Sequence, residues 1–586
     1  MAREPITVVE IDLDYCGNTF ATLPCTAALS ALVPQKCFNT YANCAATAVF
    51  AKTVKTLRFA EARPNLPKGA AVYYPALLTV SSFSATVNIA GADERMSALG
   101  RRATVTITLA DFPYHDRDTD KYQAERVSGA AQFSAVGYDP AARGSFFAKL
   151  KARWPYYNGR PLRVVQGELA GGAIINAISR AYVITGMFGP DDRGEVRIEA
   201  QDILAFAADE KAVAPKANIG TLAAAITTAS ASLTLAPVGV GATYPAAGRA
   251  IIGTEIVDYT RAGDVLTLVA RAAASTALAS HAAGDAFQTV LWFNGMRVDD
   301  AMEILLRDYA GIATTWIPKA VWAAEVTRWA GSVLLQTHIT APTGVAKLLG
   351  ELAVLGFSIW PDPVAQTIGL KVNRPPDGET VFALSDRDNL KAIAIDDRAA
   401  DRLTEVYFYS VQIDPTKGAA DPANYRRMMA TYDLDAKGAN AYGDTKIRRV
   451  FCRWFNGGAD SDIAIISRRL LNRFRYAPVR VKMLIDAKDA AIDLTAVLSV
   501  SSASITDATG AVLPAQMQVI SRSEPKPGHE VEIVAQAYQF SGRYGYATQN
   551  ACPVYASASK AQKARGMFAV GSTLTFGDGT GPYKAI

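Results

Sequence analysis

The residues best suited to chemistry are four cysteines near the start of the chain, Cys16, Cys25, Cys37 and Cys44. They are four of only six cysteines in 586 residues. Eight, eleven and six residues separate them in turn, and Gly, Pro, Asn and Thr lie between them. Because these neighbours favour turns that can aim backbone N–H groups at a thiolate sulfur, the cysteines are a candidate metal-binding set.

Several chemistries use four clustered cysteines. Two disulfides need an oxidising compartment, and the N-terminal sequence has no apolar signal-peptide core. Structural zinc usually has about two to four residues between paired ligands, fewer than this chain has. An iron–sulfur cluster tolerates wide and varied gaps because its four irons point apart. The spacing favours the cluster, with zinc as the alternative, and leaves disulfides and reduced, buried thiols open.

The residues around the cysteines also carry a resemblance. The stretches EIDLDYCGNTF at 10–20 and CFNTYANC at 37–44 resemble the cysteine region of long-tailed phage tail-tip proteins, the family of the lambda tail tip protein L. The resemblance implies a 4Fe-4S cluster held by Cys16, Cys25, Cys37 and Cys44. The motif opens this chain, whereas it closes the lambda protein, so we expect the iron–sulfur module to be fused ahead of other domains.

Length and composition limit the class of protein. A chain of 586 residues predicts about three to five domains. Hydrophobic residues make up 50% and charged residues 20%, and the net charge is only +5, so the whole chain does not resemble a nucleic-acid binder. No apolar run approaches the roughly 20 residues of a membrane-spanning helix. The four histidines lie far apart and no phosphate-loop, nucleophile-elbow or zinc-protease motif occurs, so we expect no enzyme.

Periodicity predicts a mainly β, multidomain fold with α+β parts. Alternating patterns such as ATVTITL at 103–109 predict strands, and helical spacing predicts helices within 144–154, 298–311, 343–355 and 462–476. The predicted regions are a Cys-rich iron–sulfur module at 1–70, a β-barrel-like hub domain at 71–212, a small inserted β-module at 213–290, an α+β domain at 291–395, a second β-barrel-like hub domain at 396–549 and an extended C-terminal tail at 550–586.

Two further patterns suggest partners. The hairpin pattern around Ala262-Gly-Asp resembles a small β-module of phage tail proteins. Lys and Arg residues cluster between 446 and 482. They could face DNA or an acidic neighbour, but a solvated helix face with salt bridges between subunits is favoured.

The order of elements over 71–550 resembles the baseplate hub shared by phage tails and VgrG-type spikes. The resemblance implies a homotrimeric ring at the virion tail tip, made in the host bacterial cytoplasm. Its implied partners are a distal tail protein, the tail tube end, the tape measure protein, tail fibre proteins, and DNA that passes without sequence recognition. The alternatives are an iron–sulfur redox protein and a nucleic-acid-binding protein that uses 446–482.

Overall fold

Eight strands from the first third of the chain form one sheet, a near-closed barrel, in the order β3-β2-β1-β6-β7-β8-β5-β4. Val105, Ile107 and Leu109 of its fifth strand are buried as their alternation predicts. The elements are β1 (Glu4–Cys16), β2 (Lys52–Ala60), β3 (Tyr73–Tyr74), β4 (Leu77–Phe83), β5 (Thr104–Ala110), α1 (Gln123–Ser128), α2 (Phe146–Arg153), β6 (Pro161–Ala170), β7 (Ala173–Phe188) and β8 (Glu195–Gln201).

This computed structural model describes residues 4–540 except 68, 70, 377, 439–442, 458, 459, 476, 477, 487, 488, 490, 527–529 and 539. The predicted tail at 550–586, with Cys552, lies outside the described residues. The predicted boundary at residue 70 falls between β2 and β3, which are neighbours in the barrel sheet. Cys16, the last residue of β1, and residues 17–51, which connect β1 to β2, are together called the cysteine segment below.

The next region forms a sheet of its own, in the order β10-β11-β14-β13-β12-β15. Its buried side chains form a separate core within 222–287. The predicted hairpin around Ala262-Gly-Asp is confirmed as the turn between β13 and β14. The strands are β9 (Val213–Ala214), which pairs outside this sheet, β10 (Thr221–Leu222), β11 (Ser232–Ala236), β12 (Ala247–Ile252), β13 (Glu255–Ala262), β14 (Val265–Ala273) and β15 (Phe287–Thr289). Residues 221–289 are called the β-module below.

The middle region packs three helices on two-stranded sheets. Two of its helices confirm those predicted within 298–311 and 343–355, and the third, α4, was not predicted. The elements are β16 (Leu291–Arg297), α3 (Val298–Ile304) with a π-helical turn at Leu305–Tyr309, α4 (Lys319–Ala330), β17 (Leu334–Ile339), β18 (Thr343–Gly344), α5 (Val345–Val354), β19 (Phe357–Asp362) and β20 (Thr367–Val372).

The last region holds a six-stranded half-barrel, in the order β21-β27-β28-β29-β26-β22, and a three-stranded sheet, β24-β23-β25. The predicted boundary between 395 and 396 falls inside β22. The elements are β21 (Val381–Ser385), β22 (Leu390–Asp397), β23 (Glu405–Gln412), β24 (Tyr425–Tyr432), α6 (Leu434–Lys437), β25 (Ile447–Phe451), α7 (Asp460–Phe474), β26 (Val479–Asp486), β27 (Val497–Ser501), β28 (Ala515–Lys526) and β29 (Glu530–Ala537).

One large core joins the middle region to the last one. It includes Trp322 of α4, Leu349 of α5, Phe408 of β23 and Leu470 of α7, all almost fully buried. The mainly β, multidomain fold predicted from the sequence is confirmed. Among the described residues, no helix is long and apolar enough to cross a membrane.

Candidate metal centre in the cysteine segment

Three of the four cysteines, Cys25, Cys37 and Cys44, lie in the connection between β1 and β2, and Cys16 immediately precedes it. Cys16 is the last residue of β1 and pairs with Lys52, the first residue of β2. Cys16 and Cys25 are buried, and Cys37 and Cys44 are half-buried. Each is a free thiol. Between residues 17 and 51, all of which are described, the helical elements are two single 3-10 turns, so loop backbone carries the thiols.

Asn39 fixes the loop beside Cys16. The Cys16 N–H donates to the Asn39 carbonyl at 2.7 Å, and the Asn39 side-chain amide donates to the carbonyls of Cys16 and Asn18 at 3.1 and 3.2 Å. Asn39 is buried and has a φ of 57°, a left-handed conformation that Asn tolerates better than most residues. These bonds hold Cys37 close to the end of β1.

The four thiols lie within electrostatic reach of one another. Burial raises the pKa of Cys37, and the charges of Cys44, Cys25 and Cys16 raise it further, while the Asn39 N–H opposes the shift. Burial also raises the pKa of Cys44, with Cys16 and Cys25 adding to the effect and the Ala46 N–H opposing it. In the described part of the chain, no three His, Cys, Asp or Glu side chains are placed to hold a single metal ion.

Two backbone N–H groups favour the charged forms of these thiols. The N–H groups of Asn39 and Ala46, each two residues after a cysteine, lower the pKa of Cys37 and Cys44 and so oppose the effect of burial. Four mutually repelling thiolates would be relieved by a bound positive centre, so the chemistry of the donor set suits an iron–sulfur cluster.

Arg126 of α1 attaches the cysteine segment to the rest of the fold. The sequence did not single out this residue as a functional one. Arg126 is 1% exposed, and its Nε donates to Asp120 at 2.5 Å. Its Nη2 donates to the carbonyls of Lys36 and Cys37 at 2.9 and 3.0 Å. Its guanidinium also stacks on the Phe38 ring at 3.7 Å. A buried ion pair therefore fixes the backbone on both sides of Cys37.

A second attachment combines a hydrogen bond with apolar packing. The Phe20 N–H donates to the Tyr122 hydroxyl at 2.6 Å, and Phe20 packs with Tyr122 and Ala131 of the β5–β6 connection. In β1, just before the segment, the carbonyl of Asp14 accepts from the Trp154 indole at 2.7 Å. The Asp-rich stretch at 115–121 has the composition of a solvated loop, but Asp116, Thr119 and Asp120 are buried.

Salt bridges within the chain account for part of the basic cluster at 446–482. Arg453 binds both oxygens of Glu351 at 2.9 Å, and Arg480 binds Asp93 at 3.0 Å. Lys482 pairs with Glu532 at 2.8 Å. These side chains are occupied inside the chain rather than directed at a polyanion.

No protein-family model matches the chain, and no curated protein matches its sequence. Similar solved structures include the tail protein of Neisseria meningitidis MC58, at a TM-score of 0.37 and 11% identity over 75% of this chain and 89% of that chain. The 43 kDa tail protein of prophage MuSo2 from Shewanella oneidensis gives 0.34 and 10% over 78% and 97%. The Francisella PdpA–VgrG complex gives 0.34 and 8% over 92% and 54%. The structural neighbours are thus tail and VgrG proteins, and at 8–11% identity none of them identifies a function or ligand.

Proposed function

We propose that the chain is a structural protein of a non-contractile phage tail, the baseplate or tail-tip hub, and that Cys16, Cys25, Cys37 and Cys44 hold a 4Fe-4S cluster. The observation that carries the proposal is the cysteine segment. Its four thiols have spacing that resembles the tail-tip family, and they lie within electrostatic reach of one another where β1 ends and β2 begins.

The residues of the segment suit such a cluster. A bound cluster supplies four iron–thiolate bonds, which cross-link a segment with little regular structure. The N–H groups of Asn39 and Ala46 favour the thiolate forms of Cys37 and Cys44, while Arg126 and Tyr122 hold the loop through hydrogen bonds. The proposed role of the cluster is structural, and the chain needs no catalytic residue for it.

As a hub, the chain would form a homotrimer in which barrel and half-barrel alternate around a ring. The ring would close the tail tube, bind the distal tail and fibre proteins, and let the tape measure protein and then DNA pass. The presence of a near-closed barrel and a half-barrel in one chain supports this arrangement. Its location would be the tail tip of a virion that is assembled in the bacterial cytoplasm.

The first test is the iron, acid-labile sulfide and zinc content of anaerobically purified full-length protein, with its visible spectrum. We expect about four irons and four sulfides per chain. Cys37→Ser should lower both, while the control Cys452→Ser, at a buried cysteine outside the segment, should not. Stoichiometric zinc, or no metal at all, would contradict the cluster.

A second test addresses the hub. Native mass measurement of the cluster-loaded protein should give three chains, and DNA binding should be weak and without sequence preference. A monomer with tight, salt-sensitive DNA binding would favour the nucleic-acid alternative. Reversible reduction coupled to turnover of a substrate would favour the redox alternative.

A further inference from the structure

A cavity lies where the barrel meets the middle region. Its walls come from the connection between β4 and β5, from the 3-10 turn Ile203–Ala208 after β8, from α5 and from β19. It holds about 100 Å³ when open solvent is left out. One water needs about 10–15 Å³, and a cavity of about 150 Å³ is enough for benzene, so the space suits an alkyl chain of a few carbons.

The walls of this cavity are mostly apolar, and one of them is fixed by close packing. The indole of Trp360 lies against Gly369, its cross-strand partner, where a Cβ would come within 2.3 Å of the ring. Water gains few hydrogen bonds beside such walls, so an alkyl group is the better occupant. The apolar lining residues include Ala85, Val87, Leu99, Leu204, Trp360 and Pro361.

The charged residues that line the cavity are Arg101, which is exposed, and Arg102, which is half-buried. Among residues 4–540 that the structure describes, neither guanidinium forms an ion pair or a hydrogen bond. The charge of Arg102 acts on buried Asp202, but that carboxylate accepts from the N–H groups of Ala103 and Leu204, at 2.5 and 3.0 Å. The N–H donors of both arginines can therefore bind another anion.

Other charged residues lie near the cavity in the sequence. Lys347 follows the lining residue Ala346 on α5, and Asp209 and Glu210 follow the lining residue Ala208. All three are exposed, and none of them is among the described residues that line the cavity. The charge inside the cavity is thus that of the two arginines.

We propose that this cavity binds a short-chain aliphatic monocarboxylate of about four to six carbons, with its alkyl chain against the apolar walls and its carboxylate on Arg101 and Arg102. A guanidinium group without a counter-ion is complementary to a carboxylate in charge and in shape. The ligand contacts both the barrel and the middle region. The site is independent of the proposed hub and of the cluster.

The test is titration of the full-length protein with pentanoate, pentan-1-ol and acetate, followed by saturation-transfer NMR of the ligand protons. We expect pentanoate to bind. Pentan-1-ol should bind about tenfold more weakly, because it cannot accept from the arginines as a charged group. Acetate lacks three methylenes and should bind at least about thirty-fold more weakly, at about fourfold per buried methylene. Equal binding of pentanoate and pentan-1-ol, or no binding of pentanoate, would overturn the proposal.

Two variants locate the site. Arg101→Met should weaken pentanoate about tenfold and leave pentan-1-ol unchanged. The matched control Arg449→Met, at an exposed arginine on β25, should leave both ligands unchanged. Ala346→Leu places a larger side chain at the cavity and should weaken both ligands. Pentanoate that binds all of these variants with the affinity of the unmodified protein would lie elsewhere, and this result would overturn the proposal.

Discussion

The cysteine segment and the β-module are held in place in two different ways. The β-module builds six strands and buries thirteen side chains of its own, from Leu222 to Phe287. The cysteine segment buries Phe20 against Tyr122 and Ala131 of the β5–β6 connection, and its own Ala27, Leu29, Val33 and Cys37 add only partly buried contacts. A stretch with so small a core takes much of its order from the residues around it, and the proposed cluster would add cross-links.

The charged residues of the two stretches differ in the same way. In the β-module, buried Glu255 accepts from Arg271 at 2.7 and 2.8 Å and from the Ala272 N–H at 2.9 Å, and it lies 2.9 Å from His281. All these partners are within the module. The buried pair of Arg126 and Asp120 belongs to the barrel, and only the remaining donors of Arg126 reach the cysteine segment. The module is stabilised internally, whereas the segment is stabilised from outside.

The largest expected effect is on the core of the β-module. Phe287 is fully buried, and its ring lies 5.5 Å from Tyr244 and 5.3 Å from Tyr259. Phe287→Ala should lower the free energy of unfolding of the module by about 3–5 kcal/mol. Hydrogen exchange followed by mass spectrometry should show faster exchange within 221–289 and unchanged exchange within 17–51. Val238→Ala, at a side chain that is 96% exposed, is the control.

The converse change is Arg126→Met, which leaves the Asp120 carboxylate buried and unpaired. We expect a loss of about 3–5 kcal/mol from the attachment of the cysteine segment. Exchange should then rise within 17–51 while the module stays protected. The exposed Arg143→Met serves as the matched control. If the segment kept its protection, the attachment through Arg126 would be refuted.

Low pH should destabilise the β-module, because its core contains the buried carboxylate of Glu255. Burial opposes ionisation of Glu255, but Arg271, His281 and the two backbone donors outweigh it and lower its pKa to about 2. Because the folded-state pKa lies below the ordinary value, the stabilisation is complete above about pH 4.5 and is lost as the pH falls towards 2. The loss is about 3 kcal/mol, at roughly 1.4 kcal/mol per pKa unit. Glu255→Gln should flatten this pH dependence, and the exposed Glu210→Gln should leave it unchanged.

The sequence predicted the elements whose pattern is local. The alternation in β5 defines an apolar face without reference to distant residues. The spacing of Ile463, Ile466 and Leu470 does the same for α7. Helix α4 was not predicted. It follows Pro318 and buries only Trp322, Val326 and Ala330, and so few apolar residues are hard to distinguish from scattered core residues.

Contacts between distant residues could not be predicted in this way. Cys37 and Arg126 are separated by 89 positions, and β1 pairs with β6 about 150 residues later. No local period encodes such a register, since it depends on how the whole barrel closes. The cysteines were visible because their residue type and spacing are unusual, whereas Arg126 resembles any other helix arginine until the segment is folded against it.

The smallest expected effect is on the partly exposed ion pair at the edge of the contact between the cysteine segment and α1. Lys36 pairs with Glu125 at 2.5 Å and lies 4.9 Å from the Tyr122 ring, but both charged side chains are partly exposed, at 20% and 39%. Lys36→Met should therefore cost about 1 kcal/mol or less, and the difference should shrink in high salt. Exchange within 17–51 at low and high salt measures it, with Lys482→Met, at another partly exposed pair, as the control. A loss of protection as large as that expected for Arg126→Met would mean that surface charges hold the segment. The contrast between a segment held by a buried ion pair and a module with its own core would then be wrong.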